Sequence, residues 1–312
     1  MSINAYWMQC GACGGDTMSF LSAENPDAAE VLATAGIDLL WHPSLSNLAP
    51  ARAQALTDAL CSGAIALDVL IVEGALVFGP NGSGGFDLKG GRPKKDIAAE
   101  LARRARYVIA AGTCAAYGGF GRGEEIDARG LQFTGSEPGG LLEPDFRSGA
   151  GLPVINLAGC PVHPAVLRSV LTAVAMDAPI PLDAIQRPAD WYGTLVHQGC
   201  TRNEYHEYRV EEHEFGEKGC LFFHMGCHGP LVGGPCNKTL WNEHSSKPRA
   251  GVPCFGCTDP DFPQHAPFFE TRNIEGVPLK LPRGVDRAHY LAYKGMAAAA
   301  APLRLIERKT GV

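Results

Sequence analysis

Along the first half of the chain, short apolar runs alternate with longer segments in which apolar residues recur at helical spacing. Residues 3–8, 37–41, 67–72, 107–111 and 153–157 read as strands. The run 67–72 is almost unbroken in its apolar residues, the pattern of a strand covered on both faces. Between the strands, residues 51–60, 97–106 and 164–176 read as helices. A further helix is predicted up to Ala35, with Asn25 as its cap, Pro26 at its first position and Gly36 as its stop. Beyond Pro181 the alternation fades. Residues 183–262 show few periodic segments, and a helical pattern returns over 286–307.

Strands alternating with helices predict an α/β domain over residues 1–182, a flavodoxin-like doubly wound parallel sheet. A largely irregular second domain follows over 183–312. In such a sheet the chemistry lies in the loops beyond the carboxyl ends of the strands. Three of those ends carry cysteine: Cys10-Gly11-Ala12-Cys13-Gly14-Gly15-Asp16 after the first, Gly112-Thr113-Cys114 after the fourth and Gly159-Cys160-Pro161 after the fifth. Parallel topology would gather them at one edge. Glu73 ends the third strand at that edge, where it could serve as a proton or hydrogen-bond partner or as a capping carboxylate.

Composition narrows the class. The 312 residues are 46% hydrophobic with a net charge of −6, which argues against a nucleic-acid groove or an anionic membrane surface. No apolar run approaches the ~20 residues of a membrane helix. The amino terminus shows neither a basic–apolar leader nor a twin-arginine signal, so a cytoplasmic location is expected. Eleven cysteines are then expected as thiols, not disulfides.

Seven candidate ligands fall between His197 and Cys257: His197, Cys200, Cys220, Cys227, Cys236, Cys254 and Cys257. Cys254-x-x-Cys257 alone is a weak signal, but the full set in a Gly- and Pro-rich stretch is a strong one. Two structural zinc sites would take eight ligands, and seven split more naturally as four plus three. His197, Cys200, Cys220 and Cys227 would hold a 4Fe–4S cluster; Cys236, Cys254 and Cys257 would hold a 3Fe–4S cluster. A zinc-stapled binding module is the bland alternative. Near the amino terminus, Cys10 with Cys13 and Cys13 with Asp16 have the same spacing, and thiolate chemistry favours the two cysteines. Asp16 also suits the N-cap of a helix through 17–21. Cys61 reads as core, and His224 and His228 flank Cys227, where they could tune it by hydrogen bonds.

Taken together, Val72-Glu73-Gly74, Gly112-Thr113-Cys114-Ala115-Ala116-Tyr117-Gly118-Gly119, Gly159-Cys160-Pro161, His197-x-x-Cys200, Gly226-Cys227-His228-Gly229-Pro230 and Cys254-x-x-Cys257 resemble the small, electron-transferring subunit of NiFe hydrogenases over nearly the whole chain. The resemblance implies a large-subunit partner that carries the NiFe centre and splits H₂. It also implies a proximal 4Fe–4S cluster in the first domain, and medial 3Fe–4S and distal 4Fe–4S clusters in the second. Electrons would pass to an external redox acceptor, in a dimer or higher assembly of heterodimers. Matching outward from Trp7 makes Cys13, Asp16, Cys114 and Cys160 the proximal ligands, with Cys10 the alternative to Asp16. An aspartate there is similar to the actinobacterial-type, oxygen-insensitive branch. Small subunits of nicotinamide- or deazaflavin-reducing hydrogenases are the other relatives to weigh; they often lack the medial and distal pattern.

Overall fold

The computed structural model describes residues 2–123, 125–264 and 268–307. It forms two compact units, one of residues 1–190 with 258–264, the other of 191–257 with 265–312.

The first unit is built on a five-stranded sheet of β1 (Ile3–Gln9), β2 (Ile37–Trp41), β3 (Val69–Glu73), β4 (Tyr107–Ala111) and β5 (Ile155–Leu157). Their order is β5-β4-β3-β1-β2, and every pairing is parallel. This is the flavodoxin-type doubly wound order, with its switch point beside β1. The central strands explain their own sequences. All five residues of β3 and of β4 are buried, as continuous apolar runs require when helices cover both faces. Edge strand β2 is half-exposed beyond Ile37. The covering helices include α1 (Gly15–Leu21), α2 (Ala28–Ala35), α3 (Pro50–Ser62), α4 (Lys94–Arg104), α5 (Gly112–Tyr117) and α6 (Pro164–Ala175).

Several expected boundaries move for local reasons. Asn25 sits at φ 46°, and α2 begins after Asp27. There a capping box, Asp27 with Glu30, satisfies the first turn in place of the expected Asn25-Pro26 pair. Asp16 is not an N-cap. The left-handed Gly14 occupies that place, and Asp16 lies inside the first turn with its side chain free for another partner. The carboxyl-terminal helical pattern is two helices, Arg287–Ala299 and Leu303–Ile306, interrupted before Pro302, which cannot continue the first. Cys61 is half-buried on α3, not in the core.

The second unit is mostly loop, with single helical turns at Ala189–Tyr192, Val196–Gly199 and Asn203–Glu207 around the junction and start of the segment. Its apolar packing includes two small groups, one of Val196, Val232 and Cys254 and another of Cys220, Phe222 and Phe223. Cysteines contribute to both. Among the described residues no helix is long and apolar enough to cross a membrane.

Candidate metal centres

At the carboxyl edge of the sheet, loops from four strands are stitched together. Gly11 and Ala75 exchange backbone hydrogen bonds at 2.9 and 3.0 Å, joining the turns after β1 and β3. Thr113 N–H donates to Gly159 O at 2.8 Å, and Gly159 N–H to Thr113 Oγ1 at 2.9 Å, joining the turns after β4 and β5. Helix α1 closes the group. Val162 N–H donates to Asp16 Oδ1 at 2.7 Å, and Ser19 Oγ donates to Val162 O at 2.5 Å.

Glu73 anchors this edge from below. It is fully buried; one carboxylate oxygen accepts the backbone N–H groups of Asp16 and Thr17, both at 3.1 Å. The other accepts Trp7 Nε1–H at 3.0 Å and the Thr17 hydroxyl at 2.5 Å. A carboxylate aimed at the first N–H groups of α1 is where a helix favours negative charge. Glu73 is therefore a hydrogen-bond partner of the helix start. His42, which carried no motif, is also fully buried here, with its ring 4.9 Å from that of Trp7.

Above Glu73 lie the proximal candidates. Cys13 is exposed, while Cys114 and Cys160 are half-buried. Burial pushes the Cys114 thiol up from its ordinary value, and the neighbouring Asp16 and Cys13 add to the rise, so these three share one electrostatic neighbourhood. Asp16 is 9% exposed, and its carboxyl is pushed up to about 7, chiefly by burial and further by Glu73, against the lowering effect of the Val162 N–H. Gly112, at φ 86°, leaves room for it: a Cβ there would strike the Asp16 carboxylate. Cys10 belongs to a different environment. Its thiol is pushed up to about 12, first by burial and then by Asp87, with Lys94 and Lys89 opposing. That is the Tyr6 face of β1, and alternation along the strand puts Trp7 on the opposite face.

In the second unit, His197, Cys200, Cys220 and Cys227 all line one void, together with Arg202 and Asn237. The donor set, three thiols and an imidazole around a common space, fits an iron–sulfur cluster. Burial pushes the Cys220 thiol far up and the Cys227 thiol up to about 11, while Arg202 pulls both down. Thiols so placed are poor hosts for their own charge and good ones for a metal that takes it over. Arg202 was not legible as a site residue. Its guanidinium donates to the carbonyls of Pro248 at 2.9 Å and of Glu217 and Gly219 at 2.5 Å, holding two loops around the void. His206 was missed as well. Its ring lies 4.5 Å from that of His197, and its Nδ1 is 3.4 Å from Cys220 Sγ. Burial, then the neighbouring His197, holds its pKa down to about 3.

Cys236, Cys254 and Cys257 form a second thiol group. Burial raises Cys236 to about 11 and raises Cys254 well above its ordinary value; Cys257 adds to the rise in both. Cys254 also connects the two groups, since its N–H donates to Cys227 Sγ at 3.3 Å and its carbonyl accepts His228 N–H at 2.8 Å. His228 donates Nδ1–H to Gly226 O at 2.9 Å, and His224 pairs with Glu211 at 2.6 Å; both flank Cys227. Among the described residues, no three His, Cys, Asp or Glu side chains converge as they would on a single metal ion.

Two family profiles match the chain. Residues 192–270 match the C-terminal family of the NiFe/NiFeSe hydrogenase small subunit, and residues 13–174 match the NADH ubiquinone oxidoreductase, 20 kDa subunit family. The F420 non-reducing hydrogenase II small subunit of Methanosarcina mazei is 30% identical, over 97% of this chain and 83% of that protein. The periplasmic [NiFe] hydrogenase small subunit 1 of Nitratidesulfovibrio vulgaris is 31% identical, over 83% and 79%. Among solved structures, the actinobacterial-type NiFe hydrogenase of Ralstonia eutropha H16 superposes with a TM-score of 0.78 at 29% identity, covering 95% of this chain and 88% of that one.

Proposed function

The chain belongs to the NiFe hydrogenase small-subunit family, and from that premise we propose that it is the electron-transfer subunit of a heteromeric hydrogenase. It would pair with a large subunit that oxidises H₂ at a NiFe centre, and would deliver the electrons to an external redox acceptor. The observation that carries this reading is the common void lined by His197, Cys200, Cys220 and Cys227, four residues separated by up to 30 positions yet brought to one space.

Cys13, Asp16, Cys114 and Cys160 would hold a proximal 4Fe–4S cluster. Cys236, Cys254 and Cys257 would hold a medial 3Fe–4S cluster, and His197 with Cys200, Cys220 and Cys227 a distal 4Fe–4S cluster. Such clusters, when bound, supply one-electron redox chemistry whose potential follows ligand type, hydrogen bonding and burial. The chain's own part is to set those conditions. Asp16 rather than Cys10 is supported as the fourth proximal ligand by its place beside Cys13 and Cys114, whereas Cys10 lies among Asp87, Lys94 and Lys89. A carboxylate ligand favours the actinobacterial-type branch, and the superposition on the R. eutropha enzyme, with a TM-score of 0.78, is consistent with it. A cytoplasmic location and an assembly of more than one heterodimer are part of the same reading.

Metal and sulfide analysis of the purified complex tests it. About eleven irons per chain with matching acid-labile sulfide are expected for two four-iron clusters and one three-iron cluster. Zinc without sulfide would replace the proposal with the zinc-stapled module. The Asp16→Cys variant then tests the carboxylate: an altered proximal EPR signal and midpoint potential are expected, and no change in either would remove Asp16 from the coordination sphere.

A further inference from the structure

The second unit contains a cavity of about 510 Å³, within the size range of small-molecule and cofactor sites. It shares His197 and Pro230 with the void described above, so these two residues form the wall between the two spaces. On the cavity side the lining is aromatic and cationic: Arg209, Phe223, Arg283, Tyr290, Tyr293 and Lys294.

The rings run on from that wall without a break. His197 meets His206 edge-on at 4.5 Å, and His206 stacks on Phe223 at 5.2 Å and 17°. The Arg209 guanidinium lies 4.4 Å from the Phe223 ring centre and 5.1 Å from that of Tyr290, whose hydroxyl it also reaches at 2.6 Å. Flat guanidinium and phenol surfaces of this kind stack on planar ligands.

The charge balance is one-sided. Among the described residues, the Arg283 side chain has no carboxylate partner, and Lys294 is held only by the Gly276 carbonyl at 2.9 Å. Arg209 pairs with Glu211, and Glu207 is the single carboxylate among the described residues that line the cavity. An occupant that is flat, aromatic and negatively charged matches both features.

We propose that this cavity is the docking site of a small, planar, anionic quinone-type electron acceptor, seated against the His197–His206–Phe223 ring series and held by Arg283 and Lys294. The proposal rests on the reading of His197 as a cluster-side residue, and it specifies the class of acceptor left open there. The overall reaction balances: H₂ is oxidised at the large subunit to two protons and two electrons, and the quinone takes up both electrons, with two protons from solvent, to become the quinol.

Binding can be measured without turnover. Equilibrium dialysis of the intact, oxidised complex against 1,4-naphthoquinone-2-sulfonate should show one saturable site per small subunit. Arg283→Glu should weaken that binding by about tenfold or more, and Arg283→Lys should largely restore it. In steady-state H₂ oxidation, the same charge reversal should raise KM for the sulfonated quinone. Absence of saturable binding in the parent complex would overturn the proposal, as would equal binding by the parent and Arg283→Glu complexes of matching melting temperature. Because dialysis needs no electron flow, loss of the iron–sulfur reading would show in the metal analysis and not in this measurement.

Discussion

The Glu73 carboxylate accepts the backbone N–H of Asp16 at 3.1 Å, so the residue that ends the third strand also fixes the start of the helix that presents Asp16. Among the described residues four donors converge on Glu73, none from a lysine or arginine. In Glu73→Gln, one acceptor oxygen becomes an amide NH2 group that faces two of those donors. Leaving buried donors unpaired costs about 1–3 kcal/mol each, so a loss of about 2–6 kcal/mol is expected. Thermal denaturation of the assembled enzyme should show it, and a melting temperature equal to the parent's would mean that Glu73 does not organise the helix start.

Gly112 is the second test of that corner. Its φ of 86° carries a strain of about 1–2 kcal/mol for a residue with a Cβ, and the Cβ itself would strike the Asp16 carboxylate. Gly112→Ala should therefore do two things together: lower stability by at least that amount, and change the proximal EPR signal by displacing Asp16. A loss of stability with an untouched signal would separate Asp16 from the cluster.

What the sequence disclosed, and what it hid, divides along the range of the interactions. Strand β4 is found at its expected bounds and β3 within two residues of them, because an unbroken apolar run has only one way to lie in a covered sheet. The gathering of Cys13, Cys114 and Cys160 at one sheet edge follows from parallel topology alone. Asp16 misled because its local fit to a cap was good, while its real partner, the Val162 N–H, is 146 positions away. The Asn25-Pro26 start misled because Asp27 offered a better capping box two residues later. Arg202 and His206 were invisible for a related reason. Arg202 acts on backbone carbonyls of loops with no pattern, and His206 contacts rings and a thiol that only the folded loops bring near.

The separation of Cys10 from the proximal group gives a paired prediction. Cys10 is 6% exposed on the Tyr6 face of β1, so Cys10→Ser is close to isosteric and leaves the ligand set whole. Its iron content should equal the parent's. Cys114→Ser, in the shared neighbourhood of Cys13 and Asp16, should lose or alter the proximal cluster, reducing iron by up to about four atoms. Iron loss in Cys10→Ser with retention in Cys114→Ser would reverse the assignment.

Arg202 offers a test in which structure and potential move separately. Its guanidinium holds three loop carbonyls, and its charge lowers the pKa of Cys200, Cys220 and Cys227. A cation beside a cluster favours the reduced, more negative state. Arg202→Met removes both the hydrogen bonds and the charge, so it should lower the midpoint potential of the distal cluster and cost about 2–3 kcal/mol of stability. Arg202→Lys keeps the charge but lacks the planar fork that reaches three acceptors. It should therefore stay near the parent in potential while losing much of the stability. Redox titration monitored by EPR, set beside thermal melts, reads the two effects independently. If Lys and Met variants shifted the potential equally, the guanidinium would act through loop geometry alone, and its charge would have no part in tuning the site.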